Sequence, residues 1–224
     1  MSAASPAAPV DTRVMGVIHS IYRREFRLAG EVVRGVADGD VPRAAVVADH
    51  LSLLHDHLHH HHTTEDELCW PLLLERVPEE LAPLVHLMES QHAQVETLLE
   101  EISGLLPVWR AGAGAAERDR LADLHDRLYL HLGEHMDAEE ERLLPIAART
   151  LTQAEWDTMG ETARSQTPRS QQMLVLGMIM YEGDPEVVAL MLSAAPAPVR
   201  FVLTRLARRA FRRHARAVYG TPAP

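Results

Sequence analysis

The chain has 224 residues, of which 46% are hydrophobic and only 4% aromatic, and its formal net charge is -10 at pH 7. That charge argues against non-specific binding of nucleic acid, and no apolar run approaches the roughly 18 residues of a membrane span. A core with so few aromatic residues must be built from Leu, Val, Ala and Met, which favours packed helices over sheets.

The start of the chain and its cysteine content suggest where the protein works. Residues 1–10 lack a charged segment followed by an apolar one, so we expect a disordered tail there rather than a signal peptide. Cys69 is the single cysteine, which excludes an internal disulfide framework and fits a reducing compartment. The expected location is therefore the cytoplasm.

Four long helices are predicted, over about residues 11–37, 42–76, 79–106 and 115–149. The loops between them contain Gly39 and Pro42, then Pro78, then Gly112 and Gly114. Because these loops are short, neighbouring helices should be antiparallel. The predicted fold class is all-α: an up-down-up-down four-helix bundle over residues 11–150, with a C-terminal helical extension over residues 151–224.

The second pair of predicted helices repeats the pattern of the first. At an offset of 74, the residues that align are His57, His61, Glu65 and Pro71 with His131, His135, Glu139 and Pro145. At an offset of 73, His19 aligns with His92. Two helical hairpins of like pattern predict a bundle with approximate two-fold symmetry.

The repeated histidines and glutamates continue apolar stripes of helical spacing. The stripe of the second helix is Val47, Leu51, Leu54, Leu58, His61, Glu65, and that of the fourth is Leu124, Leu128, Leu132, His135, Glu139. A His and a Glu four residues apart share one helix face. Because a buried, unpaired carboxylate is costly, these positions indicate metal ligands. Mixed His and carboxylate ligation suits iron, manganese or zinc.

The pattern His19…His61-x-x-x-Glu65…His92…His135-x-x-x-Glu139 resembles the hemerythrin-like (HHE cation-binding) family over roughly residues 14–150. The resemblance implies a non-haem di-iron centre, with two iron ions (Fe2+/Fe3+) and a bridging oxo or hydroxo group, in preference to manganese or zinc. It also implies that Glu65 and Glu139 are bridging carboxylates and that the four histidines are terminal ligands.

The chain departs from the oxygen carriers of that family at two positions. Glu96 stands where the carriers have a second histidine on the third helix, and Glu139 follows His135 by four residues, where the carriers have an Asp at five. We therefore expect sensing or enzymatic handling of O2, H2O2 or NO rather than reversible oxygen carriage. Water or Tyr22 is expected to complete the ligand set.

Three further histidines are weaker candidates for the site. His57 and His131 flank the stripes and are expected to support the ligands rather than bind metal. His62 and Asp66 form a competing pair with the same spacing as His61 and Glu65. We disfavour His62 because the repeat aligns it with Met136, which cannot replace it.

Three functional hypotheses follow. The first is a di-iron protein that binds or turns over a small diatomic or peroxide ligand, with catalytic residues unassigned and with peroxidase, catalase-like and NO-detoxifying reactions left open. The alternative is a non-catalytic sensor or storage module for oxygen, redox state or iron. A ferritin-like carboxylate oxidase ranks last, because it needs two Glu-x-x-His motifs and only Glu89-Ser-Gln-His92 is present.

The extension begins with a capping box at Thr152 and Glu155, and Pro168 and Asp184-Pro185 mark further helix starts. Its last helix, from about Pro198 to Tyr219, carries seven arginines. One interpretation is a basic amphipathic helix for an anionic membrane or nucleic acid. We favour internal packing on the acidic bundle, which would satisfy its charge within the protein.

Overall fold

The computed structural model describes residues 9–224, and every regular element in that range is helical. The predicted all-α class is confirmed. Of the predicted N-terminal tail, residues 1–8 lie outside the described part, whereas Val10 is buried and donates its backbone N–H to the carbonyl of Ala148 at 2.8 Å.

Eight helical segments build the bundle. They are α1 (Arg13–Arg34), α2 (Val41–Thr64), a π-helical segment (Glu65–Cys69), α3 (Trp70–Arg76), α4 (Pro78–Gly112), α5 (Ala115–Ala138), a second π-helical segment (Glu139–Leu143) and α6 (Leu144–Thr150). Helices α1 and α4 each pack against both α2 and α5. This arrangement is a four-helix bundle whose core is formed by the apolar stripes of all four long helices.

The third long helix was predicted to end near residue 106, but α4 continues through Pro107 to Gly112. Proline removes a backbone donor and normally ends a helix. Here Pro107 is exposed, whereas Trp109 on the next part of the helix is fully buried. Burial of the Trp109 side chain therefore holds α4 together past the proline, and the chain turns only at Ala113, which has a positive φ of 50°.

The two π-helical segments are separated by the same 74 residues as the sequence repeat. In each, the residue after the segment bonds five positions back: the N–H of Trp70 donates to the carbonyl of Glu65, and that of Leu144 to the carbonyl of Glu139. Pro71 and Pro145 follow at once and could not donate to a regular helix. Each widened turn begins at a glutamate of the repeat, and π-bulges of this kind occur often at functional sites.

The extension contains four helices: α7 (Gln153–Gln166), α8 (Gln172–Glu182), α9 (Pro185–Ser193) and α10 (Ala197–Tyr219). Thr152 and Glu155 form the predicted capping box, and Asp184 caps α9 by accepting two backbone N–H groups. Helix α7 packs on α2, α8 packs on α1, and α10 packs on α8 and α2. Bundle and extension therefore share one hydrophobic core.

A buried polar network fastens the extension to α1 and α2. Arg24 pairs with Glu25, which also accepts a hydrogen bond from the hydroxyl of Tyr219. The imidazole of His50 lies 2.9 Å from that hydroxyl through Nε2 and 3.0 Å from Nε2 of His214 through Nδ1. Burial and the neighbouring His214 lower the pKa of His50, so this histidine is neutral in the folded protein.

The prediction that the last helix packs internally is wrong for its N-terminal half. Only the C-terminal half is buried against the rest of the chain, through Ala207, Phe211, Ala215 and Val218. In the other half, Phe201, Val202 and Leu206 are at least 50% exposed. The first fully buried residue of α10 is Ala207, which Gly177 of α8 approaches closely.

Within residues 9–224, none of the helices combines the length and the apolar composition that a membrane crossing requires.

Candidate metal centre

Two adjoining groups of buried side chains offer metal-ligating atoms at one place in the bundle core. The first group is His19, His61, Glu65 and Glu139, and the second is His62, His92 and His135. Within each group the ligating atoms all lie within 4.8 Å of one another. The structure therefore brings together all six residues that the repeat predicted as ligands, and adds a seventh, His62.

The first group joins α1, the end of α2 and the two π-helical segments. Nε2 of His19 lies 3.3 Å from Nε2 of His61 and 3.2 Å from Oε2 of Glu139. Nε2 of His61 also lies 3.3 Å from Oε1 of Glu65. Four donor atoms from three long helices thus converge on one point.

The second group joins α2, α4 and α5. Nε2 of His92 lies 3.2 Å from Nε2 of His135. The ring of His62 stacks on that of His92, with centroids 4.0 Å apart. The Nε2 atom of His62 is buried without a hydrogen-bond partner among the described residues. His62 was disfavoured on symmetry, because Met136 occupies the equivalent position. Adjacent residues on a helix point about 100° apart, so His61 contributes to the first group and His62 to the second.

Glu65 and Glu139 belong to the first group and also approach imidazoles of the second. Glu65 approaches His61 through Oε1, at 3.3 Å, and His92 through Oε2, at 3.6 Å. Glu139 Oε2 lies 3.2 Å from Nε2 of His19 and 3.9 Å from Nε2 of His135. Each carboxylate is therefore placed between imidazoles of both groups, as a bridging carboxylate must be.

The electrostatics of these side chains fit a cation. Burial and the neighbouring Glu139 raise the pKa of Glu65 well above its usual range. Burial also disfavours the charged form of Glu139, but the nearby His19 outweighs it and lowers the pKa of Glu139 to about 2. Burial lowers the pKa of both His61 and His135 to about 3. Those two imidazoles are neutral at pH 7, and neutral imidazole is the metal-binding form.

Four carboxylate oxygens in this cluster, both from Glu65 and both from Glu139, are buried and accept no hydrogen bond from the described residues. Unsatisfied buried acceptors are costly, and two neighbouring carboxylates repel each other. Cations bound between the carboxylates and the imidazoles would remove both penalties. The residues present therefore fit bound metal cations.

Two acidic residues outside the cluster orient its histidines, and sequence reasoning missed both roles. Glu140 Oε1 lies 2.7 Å from Nδ1 of His19, and Asp66 Oδ1 lies 2.9 Å from Nδ1 of His92. Asp66 also accepts a hydrogen bond from the indole of Trp70 at 2.8 Å. A carboxylate on Nδ1 fixes the ring so that Nε2 faces the metal side. The repeat, which aligns Asp66 with Glu140, could have revealed this pair.

The remaining candidates lie outside both groups. The hydroxyl of Tyr22 donates to the backbone carbonyl of His57 at 3.1 Å, although the Tyr22 ring stands 5.3 Å from the ring of His61. The side chains of His57 and His131 contribute no atom to either group. Carboxylates support two of the histidines instead: Asp66 supports His92, and Glu140 supports His19.

An antiparallel helical bundle with two adjoining groups of buried His and Glu donors defines a class of four-helix protein built to hold metal ions. The family model of the hemerythrin HHE cation binding domain matches residues 12–147, and the chain belongs to this family. Neither the curated proteins nor the solved structures gave a match to the chain.

Proposed function

We propose that the protein is a non-haem di-iron protein that binds or turns over a small oxidant, O2, H2O2 or NO. The observation that carries the proposal is the placement of Glu65 and Glu139 between two groups of imidazoles, since shared carboxylates are suited to a pair of ions. Iron is preferred over zinc because zinc has no redox chemistry, and over manganese because the family resemblance implies an iron pair. An iron pair would supply redox-active centres with room for a small external ligand.

The two ions would have unequal sets of protein donors. His19 and His61 would hold one ion and His62, His92 and His135 the other. Glu65 and Glu139 lie within 3.9 Å of imidazoles of both groups and would be shared. The ion held by His19 and His61 would therefore have one imidazole fewer than the other ion. We infer that the external ligand binds at the ion held by His19 and His61.

A small, mostly apolar pocket lies next to α1 and α2. It has a volume of about 40 Å³ and lies between α1, α2 and α8, with walls that include Ile18, Tyr22, Leu54 and Val175. Ile18 directly precedes His19, and the ring of Tyr22 lies beside that of His61. The clustered His and Glu side chains are not among its lining residues, so the pocket does not distinguish among O2, NO and H2O2 as ligands.

Metal analysis of aerobically purified protein tests the proposal. Two irons per chain and a charge-transfer band in the visible spectrum are expected. Glu65→Gln should lower the iron content, whereas Glu67→Gln, an exposed neighbour in the same π-helical segment, should retain it. A colourless protein with one zinc per chain would contradict the di-iron proposal.

A second candidate function is a sensor or storage module read out by the extension. The observation in its favour is that α1 carries both His19 and the residues Arg24 and Glu25, which hold α10 through Tyr219. Stopped-flow mixing with H2O2 and with NO separates the two functions. Repeated turnover supports an enzyme, and a single stoichiometric binding event supports a sensor.

A further inference from the structure

Helix α10 has two different sides. The inner side, formed by Ala207, Phe211, Ala215 and Val218, is buried on the rest of the protein. The opposite side follows the same alternation of three and four residues along the helix. Its residues, here called the outer face, are Val199, Val202, Leu206, Arg209, Arg213 and Arg216, and all are exposed.

The outer face has an apolar half followed by a basic half. Val199, Val202 and Leu206 are each about half exposed, at 48%, 53% and 50%. The three arginines occupy the following turns, and none of them forms an ion pair with a residue whose side chain the structure describes. Phe201 adds an aromatic ring that is 58% exposed, beneath the guanidinium of Arg205 at 4.6 Å.

The charge of this helix is opposite to that of the whole protein. Residues 197–219 include seven arginines and no acidic residue, whereas the chain carries a net charge of -10. Helix α9, just before it in the chain, ends with two more exposed apolar side chains, Leu190 and Met191. Exposed apolar residues combined with unpaired arginines are the features of a helix that lies in a lipid headgroup region.

We propose that the outer face of α10 docks the protein onto an anionic lipid bilayer, with Val202 and Leu206 entering the headgroup boundary and Arg209 and Arg213 meeting lipid phosphates. Two other occupants fit less well. A two-fold dimer through this face would bring six arginines into one interface with no acidic residue of α10 to pair them. A nucleic acid would satisfy the arginines, but its phosphate backbone offers nothing to the aliphatic side chains.

Co-sedimentation of the full-length protein with lipid vesicles tests the proposal. Binding is expected to vesicles of phosphatidylcholine mixed with phosphatidylglycerol, to be much weaker with phosphatidylcholine alone, and to fall as salt screens the charges. The double variant Arg209→Gln/Arg213→Gln should lower binding about 25-fold, at about fivefold for each arginine. Val202→Ser/Leu206→Ser should also lower it.

Leu130→Ser is the matched control, because Leu130 is an exposed leucine on α5, at 65% exposure and outside the outer face. It should bind like the unmodified protein, and circular dichroism should show the same helicity for all four proteins. Equal binding to both vesicle types, or equal loss in the Leu130 variant, would overturn the proposal. Self-association or RNA binding that depends on the outer face, without vesicle binding, would also overturn it and assign the face to those partners.

Discussion

Replacing Asp66 by Ala should weaken the binding of one metal ion of the proposed pair and leave the binding of the other nearly unchanged. Asp66 touches the cluster only through His92, whose Nδ1 lies 2.9 Å from its carboxylate. Losing such a support typically lowers metal affinity by 10–100-fold, which is about 1.4–2.7 kcal/mol. Because the Asp66 side chain is 42% exposed, water can partly replace it, so the expected loss is near tenfold.

Glu140→Ala provides the reciprocal variant, because Glu140 supports His19 in the other group. Anaerobic titration with Fe2+ against a competing chelator should resolve two affinities. Asp66→Ala should reduce one of them and Glu140→Ala the other. Glu67→Ala, an exposed acidic neighbour of Asp66, should reduce neither. If the Asp66 and Glu140 variants lower the affinity for the same ion, or lower both affinities equally, the assignment of the two groups to two ions is wrong.

Three further predictions concern stability. Gly177→Ala should destabilise the protein by about 1–3 kcal/mol, since its new Cβ would lie 2.4 Å from the carbonyl oxygen of Ala207. Gly104→Ala should instead stabilise the protein by about 0.5–1 kcal/mol, because nothing lies within 4 Å of its new Cβ. If urea unfolding shows that both variants change the free energy of unfolding in the same direction, the reasoning is wrong. Removing metal with a chelator should lower the melting temperature, since metal at a thousandfold excess over Kd adds about 4 kcal/mol; an unchanged melting temperature in calorimetry would argue against bound metal. Burial and the charge of Arg24 lower the pKa of His214 from 6.5 to about 4. Between pH 6.5 and 4 this histidine is therefore protonated only in the unfolded chain, and stability should fall as the pH decreases. His214→Gln should make stability less dependent on pH in denaturant titrations at several pH values, and an unchanged slope would contradict the prediction.

The bundle and much of the cluster could be predicted because they follow regular periods. Stripes of helical spacing fixed the four long helices, and the repeat identified the two His-x-x-x-Glu pairs that the structure brings together. His62 was disfavoured by the same symmetry, because only one half of the bundle has a histidine at that position. The path of α4 beyond Pro107 was missed because it depends on the burial of Trp109, which local sequence does not reveal.

The environment of α10 could not be predicted either. Its sequence is amphipathic throughout, and spacing alone indicates one apolar face and one basic face. Which turns of α10 are covered depends on how the neighbouring helices pack on it, and that is a tertiary property. Phe201, Val202 and Leu206, which precede Ala207, stay exposed for this reason.

The supports of the two ligand histidines cross between the halves of the bundle. Asp66, in the first hairpin, holds His92 of the second, and Glu140, in the second hairpin, holds His19 of the first. In a single isolated hairpin, the ligand histidine would therefore lack the carboxylate that orients it, because that carboxylate belongs to the other hairpin. Cutting the protein between α3 and α4 should give two fragments that bind metal tightly only when mixed, which makes metal uptake a direct measure of correct hairpin pairing.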